Sequence, residues 1–193
     1  AFHINLGSSD EPPNPWHEKP ALGIGGITAA VQNGLALNGL YDGRPDGIRT
    51  EETRSAISEA EYIFGLESSG RASQALCRIL EYLLKHKDMI LPLQIIFFDR
   101  GEITGQPDGI IDRETRLAIE RAEIEFDLMS PDGLPDDEVF IELIASLETR
   151  PLQDESLLAS VLTLGSEDIY SSSAIDSDLG CNPIPSFDEF TDS

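Results

Sequence analysis

Between residues 27 and 85, apolar side chains return at helical spacing three times, and glycines separate the runs. Ile27, Val31 and Leu35 give a first helix one apolar face and predict its end near Gly39, a residue suited to a helix C-terminus. The segment Gly43-Arg44-Pro45-Asp46-Gly47 follows. Its proline sets φ, and Gly47 suits the positive φ that a tight turn demands. Thr50 then stands where an N-cap belongs, with Glu51 and Glu52 in the first turn, where the helix dipole favours negative charge. Ala56, Ile57, Ala60 and Phe64 form the buried stripe of this second helix, and Gly65 supplies its stop. Gly70-Arg71-Ala72-Ser73 opens a third helix, with Leu76, Ile79, Leu80 and Leu83 on one face.

Shifting the chain by 62 residues aligns Gln32–Leu66 with Gln94–Leu128, and 16 of the 35 positions are identical without a gap. The matches include Gln32/Gln94, Gly39/Gly101, Pro45/Pro107, Asp46/Asp108, Gly47/Gly109, Ile48/Ile110, Thr53/Thr115, Arg54/Arg116 and Glu61/Glu123. So dense a repeat predicts two copies of one supersecondary unit. In the second copy Asp112 replaces Thr50 as N-cap. Pro135-Asp136-Asp137-Glu138 starts the last helix, with proline expected in its first turn, and Val139, Phe140, Leu143, Ile144 and Leu147 form its apolar face. The expectation is an all-α protein of two tandem three-helix modules, over residues 27–86 and 87–149, with His86-Lys87-Asp88 as a short polar joint that lets them pack together. Residues 1–26 carry four prolines and end in a glycine-rich step, which reads as an extended arm with Trp16 as its anchor. Residues 150–193 read as an acidic, largely flexible tail, with nine acids and no base from Pro151 onward and one short helix at about Glu155 to Leu164.

Charge narrows the partners. Thirteen basic residues face 36 acidic ones, a net charge of -23, and no Lys/Arg cluster interrupts the imbalance. A nucleic-acid binder needs basic side chains to displace counterions, so that class is excluded, and anionic lipid surfaces fall for the same reason. No run approaches the ~18 apolar residues of a membrane span, so no membrane insertion is expected. The two cysteines, Cys77 and Cys181, permit one disulfide. Cys77 lies in an apolar stripe, where a buried free thiol is the default; in an exported protein a Cys77–Cys181 bond is the alternative, tying the tail to the first module.

The pattern Ala30-Val31-Gln32, Leu35, Asn38-Gly39-Leu40-Tyr41, Gly43, Asp46-Gly47, Thr53-Arg54, Ala56-Ile57, Gly65-Leu66, Gly70-Arg71 and Leu76 resembles the peptidoglycan-binding-like domain, a three-helix module of bacterial envelope proteins. The second copy keeps Leu93-Gln94, Gly101, Gly105, Asp108-Gly109, Thr115-Arg116, Ala118-Ile119, Leu128 and Asp132-Gly133, so the resemblance spans about residues 27 to 147. Two departures stand out. Thr50 and Asp112 occupy positions where the family usually has a third glycine, and an aromatic-Gln pair of its second helix is replaced by Ala60-Glu61 and Ala122-Glu123.

The resemblance implies a non-catalytic protein, exported to the periplasm or the cell surface, that binds peptidoglycan through its glycan or stem peptide. The groove beside the two Pro-Asp-Gly turns is the candidate site, with Tyr41, Arg44, Asp46 and Arg54 in the first copy and Gln106, Asp108 and Arg116 in the second. These residues have a structural reading too: the aspartates close their turns and the arginines pair with nearby acids. The alternative function is a structural or adaptor subunit that uses the same fold to bind another envelope protein, with the tail segment Pro183-Ile184-Pro185-Ser186-Phe187 as a docking peptide.

Other chemistry fares worse. An EF-hand-like frame starting at Asp42 puts Asp46 fifth and Gly47 sixth, but places Arg44 third and Thr53 twelfth, so no metal is expected there. His3, His17 and His86 are scattered, which argues against a zinc hydrolase, and no histidine base stands in a folded segment near Gly180-Cys181. No cofactor is implied.

Overall fold

A computed structural model describes residues 26–166 and 179–181. The described residues form seven α-helices and no strand: α1 (Gly26–Leu37), α2 (Glu51–Ile63), α3 (Gln74–Lys85), α4 (Lys87–Asp99), α5 (Arg113–Glu125), α6 (Asp137–Ser146) and α7 (Glu155–Ser166). The all-α expectation holds. The arm before residue 26, with Trp16, and the segment Pro183–Phe187 lie outside the described residues.

Four helix starts are set by short side chains, each satisfying one of the N–H groups that a first turn leaves without a partner. Thr50 Oγ1 accepts the Thr53 N–H, Ser73 Oγ the Leu76 N–H, Asp112 Oδ1 the Thr115 N–H and Asp136 Oδ1 the Val139 N–H, at 2.7–3.1 Å. Pro135 therefore stands just before the cap of α6, not inside its first turn. The helix ends share one design as well. Past α2, Gly65 takes φ 68° and Leu66 N–H reaches back to the Glu61 carbonyl, closing the left-handed cap common after helices. Past α5 the same bond runs from Leu128 N–H to the Glu123 carbonyl, with Asp127 at φ 57° in the left-handed position.

The expected joint at residues 86–88 is shorter than its polarity suggested. His86 alone separates α3 from α4, ending one helix and starting the next, while Lys87 and Asp88 already belong to the first turn of α4. Lys87 has a long-range partner that explains its place: its ammonium donates to the Leu37 carbonyl at 2.6 Å, satisfying the C-terminus of α1.

One continuous apolar core runs through both halves of the chain, from Val31, Leu35, Ile57, Leu80 and Leu83 to Leu93, Ile96, Phe97, Ile119, Val139 and Leu143. Helix α1 packs on α2 and α3, α4 on α5 and α6, and α2 meets α5 across the middle. The approach of α1 to α3 is close because Gly34 faces it; a Cβ there would lie 2.9 Å from the Leu80 Cβ.

The helical body does not stop at residue 149. Helix α7 lies along α4, Leu152 and Val161 are buried, and Asp99 holds the incoming strand of chain by accepting the N–H groups of Gln153 (2.7 Å) and Asp154 (3.2 Å). This part of the expected tail is thus core. Seven of the segment's nine acids follow residue 166, so composition over the whole segment masked the apolar residues of this helix. Farther on, Cys181 forms a disulfide with Cys77, with 5.8 Å between their Cα atoms, in place of the free thiol that burial alone suggested. Leu179 fits against Gly34 and is buried, and its N–H donates to Glu81 Oε1 at 3.3 Å.

Candidate functional site

The turn before α2 is organised by a residue that precedes it by fifteen positions. Gln32, wholly buried on α1, accepts the Gly47 N–H at 2.7 Å and donates to the Ile48 carbonyl at 3.1 Å and Thr53 Oγ1 at 3.0 Å. Thr53 Oγ1 also lies 3.2 Å from the Tyr41 hydroxyl and 3.1 Å from Thr50 Oγ1. One buried amide thus fastens the turn, the start of α2 and, through Thr53, Tyr41. An unpaired amide in such a place would carry a desolvation cost, so the loop and the helix hold each other.

The second half repeats these bonds. Gln94 accepts the Asp108 and Gly109 N–H groups at 3.0 and 2.8 Å and donates to the Ile110 carbonyl at 2.9 Å and Thr115 Oγ1 at 3.2 Å. In both turns the aspartate closes the backbone: Asp46 Oδ1 accepts the Ile48 N–H and Asp108 Oδ1 the Ile110 N–H, each at 2.8 Å. Gly47 and Gly109 take φ 77° and 76°, the left-handed region that the turn requires.

The Ala-Glu pair that departs from the family pattern also has a structural task. Glu61, buried on α2, accepts Ser69 N–H at 2.7 Å, Ser69 Oγ–H at 2.6 Å and Gly70 N–H at 2.8 Å, gathering the connection to α3 onto one carboxylate. Glu123 accepts the Gly133 N–H at 2.8 Å in the corresponding place. Burial pushes the Glu123 carboxyl up to about 7; the Gly133 N–H opposes this, and the charges of Asp132 and Asp136 add to it.

The candidate contact residues divide into two groups. Around the first turn, Arg44 and Asp46 are exposed, and the Arg54 side chain is half exposed beside Glu51 at 2.6 Å. Tyr41 is not a surface aromatic: it is buried, its hydroxyl is held by Thr53, and its ring lies so close over Gly43 that a Cβ there would collide with it. Around the second turn, Gln106 and Asp108 are exposed, but Arg116 is held within the fold. Its Nε donates to the Asp132 carbonyl at 3.1 Å, its guanidinium stands 3.7 Å from Glu120, and a Cβ on Gly65 would lie 3.3 Å from its Nη1. Beside it, the Arg113 guanidinium sits 4.2 Å above the Tyr62 ring. The start of α5 therefore faces the first half of the chain, while Gln106 and Asp108 of the turn face solvent.

The first turn and the start of α2 thus offer a small, mixed-charge surface that can donate through Arg44 and Arg54 and accept through Asp46. Such a surface suits hydrogen bonding to a polar ligand that carries both hydroxyl or amide groups and carboxylates. Among the described residues no group of three or more His, Cys, Asp or Glu side chains is placed to hold a metal ion, and no helix is long and apolar enough to cross a membrane. Gln32, Gln94, Glu61 and Glu123 were absent from the candidate contacts; their identity across the 62-residue shift was the signal that they matter. Compared with protein-family models, with curated proteins and with solved structures, the chain matches none.

Proposed function

We propose that the chain is a duplicated three-helix module, with α1–α3 and α4–α6 as its copies, acting as a non-catalytic peptidoglycan-binding protein of the bacterial envelope. The observation that carries this reading is the recurrence of one buried node, Gln32–Gly47–Thr53 and Gln94–Gly109–Thr115, built from residues that also make up the family resemblance. The first turn is the binding surface, through Arg44, Asp46 and Arg54. Arg116 contributes little, because it is engaged in packing against Asp132 and Gly65. The Cys77–Cys181 disulfide supports an oxidising compartment, as export to the periplasm or cell surface provides.

The test is retention of the purified protein on isolated sacculi at low and moderate salt. Arg44→Ala and Arg54→Ala should each weaken retention severalfold, and Arg116→Ala should not. Retention that is indifferent to both first-turn variants removes the site, and no retention at either salt removes the function. A second reading has its own observation: the engagement of Arg113 and Arg116 within the fold favours an adaptor that binds another envelope protein. Loss of sacculus binding with full retention of a proteinaceous partner would select it.

A further inference from the structure

The halves of the chain meet through a joint whose two faces have counterparts elsewhere on the molecule. From the second half, Ile110 lies over Gly39, where a Cβ would come within 3.0 Å of its Cδ1, and Arg116 lies over Gly65. Shifted back by 62 residues, Ile110 and Arg116 become Ile48, 63% exposed, and Arg54, whose side chain is 52% exposed. Shifted forward, Gly39 and Gly65 become Gly101 and Asp127, both exposed and both at positive φ (71° and 57°). A Cβ on Gly101 would meet nothing within 4 Å.

We infer that the partner of these two faces is a second copy of this chain, joined head to tail with Ile48 on Gly101 and Arg54 on Asp127. The inference rests on the reading of the chain as a duplicated module. Its chemistry differs from that of the internal joint in a definite way. Arg54 meets a carboxylate where Arg116 meets a bare glycine, so opposite charges face each other, once Arg54 exchanges Glu51 for Asp127. Glu51 and Ile124 stand where Arg113 and Tyr62 make their cation–π contact, so that contact is lost. The Asp99 carbonyl, in the place of the Leu37 carbonyl that Lys87 satisfies, already accepts Gln153 Nε2 at 2.8 Å. The joint is therefore weaker than the internal one. Because its faces differ, it is heterologous and adds copies in one direction until it closes on itself. The net charge of -23 opposes association, so added salt strengthens it by screening repulsion between whole chains.

Sedimentation velocity of the full chain over a wide concentration range, at low and high salt, tests this. The expected result is a mass that rises with concentration and more steeply at high salt. Ile48→Glu should weaken association by about tenfold or more, whereas Ile141→Glu, at an exposed position outside the joint, should leave it unchanged. Asp127→Lys should weaken it, and pairing Asp127→Lys with Arg54→Glu should restore it; circular dichroism verifies the fold of each variant. A monomer at every concentration and both salts overturns the proposal. So does an oligomer that neither Ile48→Glu nor Asp127→Lys weakens, or a charge exchange that restores nothing. These outcomes leave sacculus binding untouched. A failure of the duplication itself would appear separately, as two halves whose backbones do not superpose in a crystal structure.

Discussion

Glu123 accepts the Gly133 N–H at 2.8 Å from a position almost closed to solvent, with Asp132 and Asp136 raising the cost of its charge. Its partner in sequence, Glu61, gathers three donors onto its carboxylate. The two glutamates occupy matching positions, yet the second is served by less of the hydrogen bonding that favours the ionised form.

A pH dependence follows. The carboxyl of Glu123 is raised from 4.5 to about 7, so the folded chain holds a proton there that the unfolded chain releases. Its favourable contribution is complete below about pH 4.5 and is lost as pH rises through about 7. Glu123→Gln keeps an acceptor for Gly133 without a charge. The stability difference between Glu123→Gln and wild type, taken from urea unfolding, should move in favour of the variant by about 1–2 kcal/mol between pH 5 and pH 8. A difference that is flat across that range would show that the Glu123 carboxyl is not raised.

The glutamine nodes lend themselves to truncation. Gln32→Ala or Gln94→Ala removes the amide that fastens a turn to α2 or α5 and strands the Gly47 or Gly109 N–H beneath the surface. Each should destabilise the chain by about 2–4 kcal/mol, read from the denaturation midpoint. Asp46→Ala, which loses a bond at an exposed turn, should cost only about 1 kcal/mol. Equal costs for the two kinds of variant would mean that the buried amide has no special role.

The disulfide makes the third case. Cys77 and Cys181 are 104 residues apart, and closing so long a loop restricts the unfolded chain strongly, by about 2–5 kcal/mol in practice. Cys77→Ser with Cys181→Ser, or reduction of the wild type, should lower the unfolding free energy by that amount. Helical content should persist, because α1 and α3 remain packed through Leu35, Leu76 and Leu80. A double variant as stable as the oxidised chain would argue that Leu179 and its neighbours do not seat on α1 and α3.

The limits of the sequence show clearly at Asp112 and at Val161. Asp112 was legible as a helix cap because capping joins residues three apart, and the pattern needs no knowledge of the rest of the chain. Val161 was not legible as core. Its helix lies in a segment of nine acids, and its burial depends on α4, sixty and more residues earlier, turning a face toward it. Lys87 failed in the same way: charge marked it as a polar joint, but its partner is a carbonyl fifty residues away.

For the candidate site the division is similar. The closed form of the Asp46 and Asp108 turns could be read from spacing, but not the contrast between a half-exposed Arg54 and an enclosed Arg116, which are identical in type and in local context. Sequence alone determined the helical class, the caps at Thr50 and Asp112 and the left-handed glycine turns, because each arises from bonds among near neighbours whose energetics travel with the residue types. Tertiary structure decided which arginine faces solvent, where α7 lies and that Cys77 is paired. Those outcomes depend on which surfaces meet, and a one-dimensional pattern records the faces without recording their partners.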